Sequence, residues 1–346
     1  MKKFLIPIIG LLVLIFLTPV ILGKIANSNI DKKISELKQQ GMIIKEVSKD
    51  IGYLNTKREF KVILNRKFKN KTWQKYRKFI STIDADVVLK FKNLPITKAD
   101  MDIIGDVKIL KTRLKNIKLH LITKNFKDFE YQITNIDNMF LNGINGEIHK
   151  KKYIEIFSNI QKLESKNIKI YDTIIKSKIK NLYLSIGDIY IKSKKFEFRT
   201  IKAENLEENI STHLLPNNDF IIKDTLKVEK FGIKIKNQFI GFGYLKTKFE
   251  LNYQKHLTLN LKWENTEYQK AIVDGGEIDL NMDILNPQLK SLKDINLIAN
   301  IKAQKSLFKR VTKDFDPAIV NRYFKDYKSH IEIKNGEILV NGNRIQ

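Results

Sequence analysis

The chain contains no cysteine. That single absence excludes disulfides, thiolate nucleophiles, Cys-type zinc sites and an N-terminal lipid-modified cysteine. A chain of 346 residues buries enough surface to be stable without cross-links, so the absence agrees with a location outside the cytoplasm as well as inside it. Proline and glycine are sparse, at 6 and 15 residues, and no linker rich in glycine, proline or serine divides the sequence. Pro216, Asn217 and Asn218 form the best internal break. Arginine is scarce beside lysine. The formal net charge of +26 therefore fits poorly with nucleic-acid recognition, which relies on the planar, bidentate guanidinium to read bases and grip phosphates.

Recognisable catalytic motifs are also missing: there is no Gly-x-Ser-x-Gly, no His-Glu-x-x-His and no Walker-type loop. Gly241, Phe242 and Gly243 fit a bulge or a close strand approach better than a nucleotide site. The histidines, His120, His149, His213, His256 and His330, are isolated from one another and carry no metal-ligand spacing. Asp84 with Asp86, and Asp100 with Asp102, share a strand face at two-residue spacing. Such pairs serve acid–base chemistry when buried together, but beside so many lysines they read as solvated and balanced. No metal, no cofactor and no enzymatic activity is expected.

What is present begins at the N-terminus. Met1, Lys2 and Lys3 precede an apolar run from Phe4 to Leu22 without a charged residue, long enough to cross a bilayer as a helix. Lysines ahead of the run keep the N-terminus in the cytoplasm and send the body across, and no Ala-x-Ala cleavage site follows. Residues 25–40 read as a helical stalk, with Ile30, Ile34 and Leu37 at helical spacing and Gly41 as the stop.

After Gly41 the period changes to two. Leu54, Thr56, Arg58, Phe60, Val62 and Leu64 share one side of a strand, and the same texture returns around Val87 to Phe91, Ile117 to Leu121, Leu245 to Tyr253, Leu257 to Trp263, Ile278 to Ile284 and Ile295 to Ile301. This one-sided apolarity is the signature of antiparallel sheet with one covered face. Residues 151–164 read instead as a helix, on Ile154, Phe157, Ile160 and Leu163. Asp316-Pro317 predicts a second helix start, and Asn335-Gly336 predicts a hairpin turn of type I′.

Three stretches resemble the YdgA-like family of bacterial inner-membrane-anchored periplasmic proteins: Pro19 to Gly23; Gly52, Tyr53, Leu54, Asn55 and Thr56; and the ending from Phe324 through Asn335, Gly336, Ile338, Asn341 and Gly342. The resemblance supplies no catalytic residues. The fold expected is mainly β: an N-terminal transmembrane helix (1–23), a stalk (24–41) and a long antiparallel β-sheet or β-groove body (42–346), with a weak boundary near 216–220. The expected protein is a single-pass, non-enzymatic envelope protein that binds lipid or another apolar ligand along a groove lined by Phe60, Phe91, Phe249, Leu251 and Leu261. An envelope scaffold without ligand is the alternative, and an enzyme acting on envelope polymer stands third. Expected partners are the phospholipid bilayer and lipid or envelope proteins, with the lysines facing an anionic membrane or polymer and nucleic acid excluded.

Overall fold

Alternation wins over nearly the whole chain. In the computed structural model the described residues are 24–345, except 66, 77–79, 94–98, 110–111, 124, 126, 182–185, 216–219, 236–237, 253–254, 269–270, 287 and 314–315. They divide into two units at Ser165/Lys166.

Unit 1 opens with helix α1 (24–39), which ends at Gly41 with φ +94°, a conformation that glycine adopts without steric penalty. An antiparallel meander follows through β1 (Ile43–Ile51), β2 (Asn55–Leu64), a short α2 (Lys71–Tyr76), β3 (Ile80–Lys92), β4 (Ala99–Ile109), β5 (Thr112–Thr123), β6 (Asp128–Asn135), β7 (Phe140–Lys150) and β8 (Ile154–Glu164). Each strand from β1 to β8 pairs with the next. Thr56, Phe60 and Phe91 are buried on the apolar face.

Unit 2 repeats the plan: β9 (Ile168–Asn181), β10 (Ile186–Phe198), β11 (Ile201–Leu214), β12 (Phe220–Ile235), β13 (Gln238–Asn252), β14 (His256–Tyr268), β15 (Ala271–Ile284), β16 (Ile295–Ala303), α3 (Lys305–Thr312), α4 (Pro317–Tyr323), β17 (Lys328–Lys334), β18 (Glu337–Val340) and β19 (Asn343–Arg344). All neighbours pair antiparallel. The Asn335-Gly336 turn joins β17 to β18 with φ of +54° and +83°, as a type I′ hairpin requires. Asp316 caps α4, its carboxylate accepting from the Ala318 N–H at 2.8 Å with Pro317 at the first helical position. Leu307 of α3 is buried, and Phe308 meets Phe324 and Tyr327 edge-on at 5.2 Å.

A crease crosses unit 2. Ladder pairs run on either side of the rung Asp172–Lys194–Asn205–Glu229–Tyr244–Glu264–Gly275 but not at it. Asp172, Asn205 and Tyr244, on alternate strands, hold φ of +45° to +51°. The crease shifts side-chain alternation by one residue. Ala203 and Phe231 are out of phase with Leu206 and Val228, yet all pack into one cluster with Leu245, Phe196 and Trp263. Fully burying a side chain such as Val228 or Leu245 is worth about 1.5–3 kcal/mol.

Several expectations are corrected. Residues 154–164 form β8, not a helix, because Ile156 and Ile160 pair with Ile148 and Ile144 of β7. The apolar spacing satisfies both periods, and the partner strand decides between them. Residues 24–39 do form a helix, but not a free stalk, since Asn27 and Asp31 are tied to Arg58 of β2. Phe4 to Leu22 lies outside the described residues, and among the described residues no helix is long and apolar enough to cross a membrane. The single-pass anchor is therefore withdrawn. The inner-membrane location, the bilayer as partner and the membrane-anchored, lipid-binding or scaffolding envelope protein are corrected with it.

Candidate functional site

Direct pairing places partners on the same face, so register sorts unit 2 into an apolar and a polar face. On the apolar face stand the rungs Leu251–Leu257–Met282–Leu297, Phe249–Leu259–Leu280–Ala299 and Thr247–Leu261–Ile278–Ile301. The candidates Phe249, Leu251 and Leu261 thus share one face and are half-buried, whereas Phe60 and Phe91 lie in unit 1 and are buried. The structure brings the first three together and leaves the other two apart from them. Arg58 stacks over the Phe60 ring at 5.1 Å.

Two carboxylates interrupt the apolar face of unit 2. Glu208 pairs with Leu226 and Asp224 with Ile210, which makes the two acids diagonal neighbours. Burial pushes the Glu208 carboxyl up, and the nearby Asp224 adds to the shift; burial alone raises Asp224. Asp224 Oδ1 is buried without a hydrogen-bond partner.

The polar face carries two parallel rungs. The first is Thr225–Lys248–Asn260–Asp279–Asn300–His330. Here the Asn260 amide donates to Asp279 Oδ1, and His330 Nδ1 lies 2.7 Å from Asn300 Oδ1. The second is Lys227–Lys246–Lys262–Glu277–Lys302–Lys328. Its five lysines are exposed, and among the described residues none has a carboxylate within 4.0 Å. A concave site of about 520 Å³ crosses β12 to β16, lined in part by Thr225, Lys248, Asn260, Asp279 and Asn300. A second of about 480 Å³ extends from β15 to β17 past Glu277, Lys302 and Lys328, and Asp279 and Asn300 line both. Sequence reasoning missed this face, because its residues are scattered over a hundred positions and only strand register aligns them.

The polar face of unit 1 differs. Lys61 reaches Asp84 at 3.1 Å and Asp86 at 3.5 Å, Lys90 reaches Asp102, and Arg113 reaches Asp106. His120 Nδ1 lies 2.6 Å from Asp102, and His149 lies between Asp128 and Glu147. The His120 contact holds the Asp102 carboxyl below the usual range, and Asn125 followed by His149 does the same for Asp128. Of the aspartate pairs expected from spacing, Asp84, Asp86 and Asp102 therefore sit in ion-pair networks, whereas Asp100 Oδ1 is buried with no hydrogen-bond partner among the described residues. His256 likewise meets Asp283. Among the described residues no group of three or more His, Asp or Glu side chains has a metal-binding arrangement.

Arg58 anchors α1 from within the apolar face of unit 1. Its side chain is 1% exposed; Nε donates to Glu46 at 2.7 Å, Nη2 to Asp31 at 2.5 Å and Nη1 to Asn27 at 3.4 Å. Burial opposes the charge, but hydrogen bonds to Glu46 and Asp31 outweigh it and raise the Arg58 pKa. The guanidinium thus stays charged inside an apolar layer because its donors are met.

No family model, curated protein or solved structure matches the chain. The resemblance to the YdgA-like proteins is corrected accordingly; of the three stretches that carry it, Pro19 to Gly23 lies outside the described residues.

Proposed function

We propose that the protein is a non-enzymatic binding protein that holds an anionic partner against the polar face of unit 2. One observation carries this reading. Lys227, Lys246 and Lys262 stand directly opposite one another on adjacent strands, with Glu207 and Glu277 in register at the two ends of the row, and among the described residues none of the three has a carboxylate within 4.0 Å. Directly opposed like charges destabilise a sheet by roughly a few tenths of a kcal/mol per pair. Solubility alone requires no such alignment, since the same lysines staggered would serve it equally well.

The test is binding of the intact chain to immobilised heparin across a salt series. Neutralising a lysine row should give a log–log salt slope of about 3 to 5, as counterions are released. Replacing Lys227, Lys246 and Lys262 together by glutamine should weaken binding by about tenfold or more and flatten the slope. An equal loss from glutamine at Lys57, Lys61 and Lys90 in unit 1 would show that only net charge matters and would overturn the reading.

A further inference from the structure

Resting on that anion-binding reading, we infer the class of its ligand: a linear acidic polysaccharide lying across the strands of unit 2, with its anionic groups on the lysine rung and its hydroxyls on the rung of Asn260, Asp279 and Asn300.

Geometry supplies the first argument. The two rungs are two residues apart on every strand, hence parallel and about 7 Å from each other, and each rung repeats at about 4.8 Å from strand to strand. A polymer crossing the strands meets one lysine and one hydrogen-bonding group of another kind on four of the six strands, with Lys246 and Lys248 together on β13 and Glu277 and Asp279 together on β15, a pattern that suits a sugar chain bearing acid groups on one edge and hydroxyls on the other. The concave site of about 520 Å³ follows the hydroxyl rung, the one of about 480 Å³ reaches from it to Glu277, Lys302 and Lys328 of the lysine rung, and the two share Asp279 and Asn300.

The chemistry of the hydroxyl rung is the second argument. Asn260 and Asn300 offer both donors and acceptors, and Asp279 accepts only. An acceptor carboxylate beside the lysines repels a ligand made mostly of phosphate and welcomes O–H donors. Glu277 acts in the same direction: it splits the lysine row into Lys227–Lys246–Lys262 and Lys302–Lys328, which suits a polymer charged at intervals better than one charged at every unit.

The third argument concerns nucleic acid. Neither rung carries Phe, Tyr or Trp, and His330 stands alone at one end of the first, so successive single-stranded bases find no stacking platform. A broad sheet face also presents no helix or two-stranded ribbon to enter a duplex groove. Lysine in place of arginine, a point charge without the planar fork, fits carboxylates and sulfates held at variable angles.

The experiment compares calorimetric binding of the intact chain to polygalacturonate, heparin, neutral dextran, single-stranded homopolymer DNA, inorganic polyphosphate and phosphatidylglycerol vesicles, at matched charge and one ionic strength. An acidic glycan should bind about tenfold tighter than DNA, polyphosphate or vesicles, with dextran inert. Asp279→Asn keeps the shape of the site and should weaken glycan binding while strengthening that of polyphosphate. Asn260→Ala with Asn300→Ala should weaken glycan binding about tenfold and leave polyphosphate unchanged. If DNA, polyphosphate or vesicles match the glycan, or if the Asp279→Asn and Asn260→Ala/Asn300→Ala variants leave glycan affinity unmoved, the ligand class is wrong while the anion-binding face stands. If no polyanion binds, both readings fall.

Discussion

On the polar face of unit 1, Lys61 is held by Asp84 and Asp86, Arg113 by Asp106, and His149 by Asp128 and Glu147. On the polar face of unit 2, Lys227, Lys246 and Lys262 face one another across two strand gaps, with Glu207 and Glu277 opposite the outer two, and form no ion pair within 4.0 Å among the described residues. Both faces come from the same meander plan and the same lysine-rich composition, so neither fold class nor net charge separates them. Side-chain contact does. Lys61, opposite both Lys45 and Asp86, closes on Asp84 and Asp86, so its charge is spent within the fold; Lys227 and Lys262, opposite Glu207 and Glu277, form no ion pair within 4.0 Å among the described residues, and their charge remains available to a ligand.

The apolar faces differ in the opposite sense. Unit 1 buries a cation, Arg58, with its partners supplied by α1 and β1. Unit 2 places two acids, Glu208 and Asp224, in apolar surroundings that favour their neutral forms. The first is a satisfied network and the second is a cost that grows as the acids ionise.

The comparison breaks most sharply at Arg58. Arg58→Met should destabilise unit 1 by about 2–4 kcal/mol, read as an equal loss of hydrogen-exchange protection in β1 and β2; unchanged protection there would refute the satisfied network. Next is the crease. Tyr244 is 53% exposed and sits at φ +50°, where a non-glycine residue pays about 1–2 kcal/mol. After the extra freedom that glycine gives the unfolded chain, Tyr244→Gly should stabilise unit 2 by about 0.5–1 kcal/mol. A lower urea midpoint at unchanged slope would contradict the phase-shift account. Smallest is the glutamine triple at Lys227, Lys246 and Lys262, which relieves two like-charge pairs and removes two opposite-charge ones with Glu207 and Glu277; the stability of unit 2, read from the urea midpoint, should move by less than about 0.5 kcal/mol, even as anion binding weakens by about tenfold or more.

Acid sharpens the contrast further. Asp102 and Asp128 have lowered pKa values, so their contribution to unit 1 is present above the ordinary carboxylate pKa and is lost as pH falls through the lowered one. Glu208 and Asp224 have raised values, so the folded state binds more protons than the unfolded one; unit 2 is favoured below their ordinary pKa and loses that stability as pH rises through the raised one. Acidification through the carboxylate range should therefore lower exchange protection in unit 1 while raising it around β11 and β12. Parallel loss in both units would count against the assigned environments.

Much of this architecture was legible before any coordinates. Leu245, Thr247, Phe249 and Leu251 alternate in the sequence and share one face in the structure, as do Leu257, Leu259 and Leu261. Asn335-Gly336 and Asp316-Pro317 fall where their backbone preferences place them. The failures have identifiable causes. Ile154 to Leu163 carries apolar residues that suit either period, and only β7 resolves the ambiguity. Ala203 and Phe231 look misplaced against Leu206 and Val228 until the left-handed residues of the crease shift the alternation. Arg58 could be seen on the apolar side of its strand beside Thr56 and Phe60, but not its partners Asn27, Asp31 and Glu46.

Amino-acid order alone set most of the strands, their apolar sides, one turn, one helix start and the absence of thiol chemistry, because propensity and alternation act over a few neighbouring residues. The lysine rung belongs to another level. Lys227, Lys246, Lys262, Lys302 and Lys328 are separated by loops of differing length, and a slip of one residue in any strand would turn that strand's lysine to the opposite face. Register is set by hydrogen-bonded pairing and by the burial of the opposite, apolar face, which are properties of the assembled sheet.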